Sequence, residues 1–265
     1  MLYFLKQILK KNYFIYFISL FLYQKIFMLC YSRLVSYIRS LINYKKNKIF
    51  KSNIKETKKI ILYNKEFYYP KYSIFYEEYF KNFEAKTTLN TEYNLIAKEF
   101  FEKEIECILD VGANIGYNSL FYNEFFSDKI KIHCFEPHPV SYYFLKKNLS
   151  SFYNIRLYNF ALGSENKEDY MSIPDHETHR LSNLGTMSIG QSSNNLKAKI
   201  LIKKFDSLTI SLQQFKSIYI KIDVEGYEDN VLKGMLNFLH NDINLYLKIE
   251  INKNFNNVTK IISII

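Results

Sequence analysis

The residues able to do chemistry form three short clusters. In the first, ILDVGANIGYNS, Asp110 closes an apolar run, and Gly112, Ala113, Asn114, Ile115 and Gly116 turn the chain towards Asn118 and Ser119. Glycines at 112 and 116 let the backbone fold tightly against a ligand, and a helix starting beyond them offers unpaired N–H groups to a carboxylate or phosphate. The dinucleotide fingerprint G-x-G-x-x-G fails, because its second and third glycine places, counted from Gly112, hold Asn114 and Tyr117. The second cluster, HCFEPHP, places Glu136 26 residues beyond Asp110. A carboxylate there can accept both hydroxyls of a ribose, whereas a 2′-phosphate would call for an arginine. In the third, SIYIKIDVEGYEDNVLKGM, Asp223, Glu225 and Glu228 concentrate negative charge facing the Gly112 turn. The three together predict a cationic ligand that carries an unphosphorylated nucleoside.

Such clusters need a frame that brings them together. Six β-rich runs lie at 105–112, 129–137, 155–162, 198–205, 217–226 and 245–251, with helical stretches at 117–126, 139–149 and 228–240 among them. This alternation predicts an α/β fold, a parallel sheet with helices on both faces and functional loops at the carboxyl ends of its strands. Pro137 and Pro139 restrict the turn after the second run and open the next helix. Along 217–226, Ile218, Ile220 and Ile222 share one face, and Tyr219, Lys221 and Asp223 the other. Lys221 is then a buried cation that needs a counter-charge, and Glu250 is the expected partner.

Five ordered stretches resemble the FkbM family of S-adenosylmethionine-dependent methyltransferases. They are DVGANIGYNS at 110–119, FEPHP at 135–139, NFALGS at 159–164, FDSLTI at 205–210 and IKIDVEGYE at 220–228. The resemblance covers roughly residues 90–251. It implies a Rossmann-like, doubly wound, mostly parallel sheet of the class I methyltransferase type, acting on hydroxyls of sugars or natural products. By position, Asp110, Gly112, Ala113, Asn114 and Gly116 would hold the methionine end of S-adenosylmethionine and Glu136 its ribose. Asn159 and Ala161 would border the adenine. Asp223 would face the reacting centre as the base that takes the hydroxyl proton, with Glu225 second and Lys221 orienting Asp223. Glu92 and Tyr93 resemble the approach to the glycine loop, or belong to a packing helix.

Competing chemistries fit less well. Neither D-P-P-Y, N-P-P-Y nor Pro-Cys follows the strand of the 217–226 run, which argues against amino or pyrimidine methylation of nucleic acid. No Asp-Asn pair stands at 250–252, and His176 and His179 lack a third ligand, so no metal is expected. Residues 171–197, rich in Ser, Asn and Gly, read as the loop that contacts the acceptor, a small molecule or glycan. The alternatives are a catalytically impaired relic serving as a binding or scaffold module, and an NAD-dependent oxidoreductase.

Charge separates the chain of 265 residues into two parts. Residues 1–60 hold 13 basic residues against one acid, a net of +12, whereas 61–265 hold 23 against 25, a net of −2. The basic excess therefore belongs to an N-terminal extension, residues 1–60, and not to a nucleic-acid-binding surface on the methyltransferase domain, residues 61–265. Residues 13–23 are apolar all round a helix, and from Lys25 onward the pattern becomes amphipathic. Lys25 makes spanning marginal, at a cost of about 2.5–3.5 kcal/mol if central. The extension either lies on the inner face of the membrane through residues 1–45, or packs on the domain or on a second copy. No small-x-small site follows the apolar run, so a cleaved signal is not expected. Residues 43–60 read as a lysine-rich linker or solvated face. Cys30, Cys107 and Cys134 are far apart, which fits a reduced, cytoplasmic compartment. After the fifth strand only KNFNNVTKIISII follows, which reads as a truncation that leaves a sheet edge open.

Overall fold

A computed structural model describes residues 57–71, 73–81, 104–126, 129–172, 189, 197–250 and 261. In chain order the elements are β1 (Thr57–Leu62), β2 (Lys65–Pro70), α1 (Ile74–Lys81), β3 (Cys107–Val111), α2 (Tyr117–Phe126), β4 (Lys131–Phe135) and α3 (Pro139–Leu149). There follow β5 (Ile155–Tyr158), β6 (Ala161–Leu162), β7 (Lys167–Ser172), β8 (Lys197–Lys203), β9 (Ser217–Ile222), α4 (Glu228–Lys233), α5 (Leu236–Leu239) and β10 (Asn244–Ile249). The segment 1–45, Glu92, Tyr93, His176 and His179 lie outside the described residues, as does most of the 171–197 loop. Among the described residues no helix is long and apolar enough to cross a membrane.

The centre is a five-stranded parallel sheet in the order β10-β9-β3-β4-β5. Its inner strands are short, and every residue of β3 and β9 is buried, as a sheet covered on both faces requires. One core layer joins Ile108, Ile132 and Tyr219 to residues of α2, α3 and the β1–β2 hairpin. The other joins Leu109, Ile218, Ile220 and Ile222 to α4, α5 and Phe205. Chain order reverses at β3, with β4 on one side and β9 on the other, so the crevice of this α/β fold opens above the carboxyl ends of these three strands.

Four departures from the sequence reading have local causes. The run 155–162 is broken at Asn159 and Phe160, and its second part, β6, joins a separate three-stranded sheet in the order β6-β8-β7. β8 belongs to that sheet and runs antiparallel to β7. Its alternating burial, with only Ala198, Ile200 and Ile202 inside, marks a strand covered on one face. The stretch 228–240 is two short helices separated at Gly234, where a Cβ would lie 1.9 Å from the Gly163 carbonyl oxygen. Finally, β1 starts at Thr57, inside the stretch read as linker, and pairs with β2 in an antiparallel hairpin. Asn148 of α3 holds this hairpin: its Oδ1 accepts from Tyr68 N at 2.7 Å, and its Nδ2 donates to Tyr68 O at 2.9 Å and Ile115 O at 2.8 Å. Beyond residue 250 the described residue is Ile261, buried in the second core layer.

Candidate cofactor and active site

At the base of the crevice, strand register sets Asp110 of β3 beside Lys221 of β9. Both are buried. Asp110 Oδ2 accepts from Ser119 Oγ at 2.6 Å, while Oδ1 accepts no hydrogen bond and faces Lys221 Nζ at 3.6 Å. Lys221 Nζ also donates to Asp223 Oδ2 at 3.1 Å. Burial works against the ammonium, but Asp110 and Asp223 outweigh it and hold Lys221 above its usual proton affinity. The counter-charges are therefore Asp110 and Asp223. Glu250, the partner expected from sequence, makes no ion pair with Lys221 and acts on it only through space. Parallel pairing of β10 with β9 sets Lys248, not Glu250, at the level of Lys221, which carries the Glu250 carboxyl up towards Asp223. The charge of Asp223, and then burial, raises the proton affinity of Glu250.

Above this pair runs the glycine turn. Gly112 has φ of +82°, and a Cβ there would sit 1.9 Å from the Asp223 carbonyl oxygen, so β3 and β9 can meet at this level only if the residue is glycine. Gly112 N and Ala113 N donate to Phe135 O at 3.0 and 3.1 Å. Asn114, at φ of 52°, donates its N–H to Glu136 Oε2 at 2.8 Å, and its Oδ1 accepts from Tyr76 Oη at 2.7 Å. Glu136 Oε1 accepts from His138 N at 2.7 Å. Burial pushes the Glu136 carboxyl up to about 7 despite these two donors.

These groups surround a cavity of about 520 Å³, within the range of roughly 300–1,000 Å³ of small-molecule sites. Gly112, Ala113, Asn114, Glu136, Ala161, Lys221, Asp223 and Glu225 line it. Asp110 and Gly116 are not in the lining: Asp110 acts from behind, through Ser119 and Lys221. Asn159 is exposed and outside the lining, its Nδ2 donating to the carbonyls of Glu136 at 2.9 Å and Pro137 at 3.3 Å. Glu228 does not face the Gly112 turn. It is buried, and its Oε1 accepts from Val224 N at 3.3 Å and Gly226 N at 3.1 Å, which shapes the turn after β9. That turn puts Glu225 at a φ of 52°, a left-handed strain of the kind concentrated at working sites. Burial, followed by the charges of Asp223, Glu250 and Glu228, raises Glu225 to about 7. Sequence reasoning missed the aromatic wall: Tyr76, Tyr79 and Phe80 of α1 line the cavity with Tyr117. In the sequence these aromatics look like packing residues, and nothing marks them as belonging to a site.

A doubly wound parallel sheet whose glycine turn, strand-end glutamate and acidic loop meet in one crevice has the architecture of an α/β methyltransferase. Residues 110–265 match the methyltransferase FkbM domain, and the chain belongs to that family. It is 28% identical over 165 residues to the hexuronic acid methyltransferase AglP of Haloferax volcanii, a match covering 61% of this chain and 63% of that protein. The chain thus spans under two thirds of that relative. A solved structure, the methyltransferase FkbM from Methylobacillus flagellatus KT, aligns with TM-score 0.36 and 16% identity over 54% of this chain and 32% of that one.

Proposed function

We propose that the chain transfers a methyl group from S-adenosylmethionine to a hydroxyl of a sugar or glycan. One observation carries the reading: the Gly112 turn, Glu136, Asp223 and Glu225 converge on a single acidic cavity at the point where strand order reverses. The chemistry of this lining fits the cofactor. Among the described lining residues Glu136, Asp223, Glu225 and Glu250 outnumber Lys221 and Lys248, so a cation relieves their mutual repulsion. Glu136 uses one lone pair of each oxygen on the backbone and keeps the others for two ribose hydroxyls. When bound, the cofactor supplies an electrophilic methyl on a positively charged sulfur.

The residues of the chain then have two tasks, alignment and proton removal. Lys221 holds Asp223 from one side while being held by Asp110, so the Asp223 carboxylate has a defined direction into the cavity. Asp223 accepts the acceptor hydroxyl proton, and Glu225, near neutrality in proton affinity, is the second base. The hexuronic acid named for the Haloferax volcanii relative makes a hexuronate glycan the first acceptor to try. The test is transfer of labelled methyl from S-adenosylmethionine, paired with calorimetric titration of the cofactor. Asp223→Asn abolishes transfer and leaves cofactor affinity within about tenfold; full turnover by that variant removes Asp223 from the base role.

A further inference from the structure

A second cavity of about 540 Å³ lies along β4 and β5 on the second face of the sheet. In a sheet covered on both faces, the inward positions are apolar. β3 and β9 obey this on that face with Cys107, Leu109, Val111, Ile218, Ile220 and Ile222. Register carries the same face onto Lys131 and His133 of β4, with Arg156 directly opposite His133, and Tyr158 opposite Phe135. Polar and cationic side chains thus stand where this fold elsewhere buries isoleucine.

Among the described residues, charge in this cleft has one sign: Lys131, Arg156 and Lys203 line it, and no carboxylate does. Among the described residues none of the three forms an ion pair with an acid. Lys131 Nζ sits 5.2 Å above the Tyr153 ring and Lys203 Nζ 4.6 Å above the Phe160 ring. His133, whose Nδ1 lies 3.0 Å from Tyr158 Oη, is kept neutral by burial and by Arg156 and Lys131, which bring it down to about 4. The surrounding domain is slightly acidic, so this cluster is not a general excess of lysine. Three like charges gathered in one concavity repel one another until an anion enters.

The remaining lining selects the kind of anion. Tyr153 is 66% exposed, with Lys131 over one face of its ring, while Thr209, Ser211 and Gln214 offer hydroxyl and amide groups. Flat apolar faces with hydroxyl-matching donors suit a sugar ring, and the cations suit carboxylates or phosphates carried on it. A nucleic-acid strand would call for a charged track following many phosphates, which three cations do not supply. Phe160 lines this cleft and the next residue, Ala161, lines the cofactor cavity, so the two sites adjoin in the chain. We propose that the cleft binds an anionic saccharide. Resting on the function proposed above, this is a segment of the acceptor beyond the residue that is methylated.

The full chain is titrated calorimetrically with tetragalacturonate, its fully methyl-esterified neutral counterpart, a sugar phosphate, inorganic phosphate and a short oligothymidylate. Tetragalacturonate or the sugar phosphate binds and the neutral ester does not. Arg156→Gln weakens binding about tenfold, and Arg156→Glu abolishes it. Arg156 is exposed, so melting temperature is retained, and Tyr153→Ala supplies an independent loss of affinity. Equal binding of the ester, affinity unchanged in both Arg156 variants, inorganic phosphate as effective as the saccharides, or preference for oligothymidylate would each overturn the proposal. S-adenosylmethionine titrated into the same samples separates the two readings. If the cofactor binds and no saccharide does, only the cleft assignment falls; if saccharide binds and the cofactor does not, the methyltransferase reading falls instead.

Discussion

Two cavities of nearly equal size, about 520 and 540 Å³, are built on the same parallel sheet and carry opposite charge. The first gathers its acids at strand ends and in the loops beyond them, where a glycine turn permits close approach. The second takes Lys131 and Arg156 from one face of β4 and β5, and Lys203 from β8. The difference shows how one sheet presents two electrostatic surfaces without mixing them. Loop residues beyond β9 point over the carboxyl ends, whereas alternate residues of β4 and β5 point sideways, so neither set neutralises the other. In the acidic cavity burial, with repulsion added to it, raises the proton affinity of Glu136 and Glu225, and at Glu250 the charge of Asp223 leads.

The sharpest way to break the contrast is to remove Lys221, the buried cation below the acidic cavity. Lys221→Met leaves Asp110 buried without a counter-charge and lowers stability by about 3–5 kcal/mol, read by urea unfolding, with the Asp110→Asn/Lys221→Met double variant regaining most of it. A double variant as unstable as the single would show that Lys221 matters through packing. Next, Gly112→Ala combines a left-handed backbone with a collision against the Asp223 carbonyl. It costs about 2–4 kcal/mol and removes cofactor binding in calorimetry. An alanine variant that binds normally would mean that β3 and β9 can separate without loss.

Proton linkage gives an intermediate effect. Glu136 and Glu225 rise from 4.5 to about 7, so between those limits the folded chain holds protons that the unfolded chain has released. Stability therefore declines as pH rises through that window because of these two groups. A bound cation favours their ionised forms, so cofactor binding releases protons near pH 7 and tightens towards pH 8. Calorimetry in buffers of different ionisation enthalpy reads the release directly. Heats independent of buffer would contradict the charge assignment. The smallest effect is at the aromatic wall: Tyr76→Phe removes the hydroxyl that holds Asn114 Oδ1, and weakens cofactor binding roughly threefold to tenfold, as one hydrogen bond does. Unchanged affinity would place Tyr76 in packing alone.

Strands β3, β4, β9 and β10 and helices α2 and α3 were legible because their short β-rich runs alternate with helical stretches, and Gly112, Gly116 and Pro139 mark the turns into the helices. The β1–β2 hairpin was hidden. Its two-residue turn uses Tyr63 and Asn64, both at positive φ, where Asn-Gly would have been readable. The three acids after β9 were visible as a group, but their tasks were not. Whether a carboxylate faces a ligand or caps a turn depends on the path of the backbone, and Glu228 turns inward to Val224 and Gly226 while Glu225 lines the cavity.

The amino-acid sequence by itself determined the alternation of strands and helices, the glycine turn and the acids at strand ends, because all three are written in residues close together in the chain. Tertiary structure alone decided that Lys221 answers to Asp110 and Asp223, that Tyr76 reaches Asn114, and that Lys131, Arg156 and Lys203 share one cleft. Those meetings join residues far apart in sequence, and strand order with register, which no local pattern encodes, selects which of them come within a few ångströms.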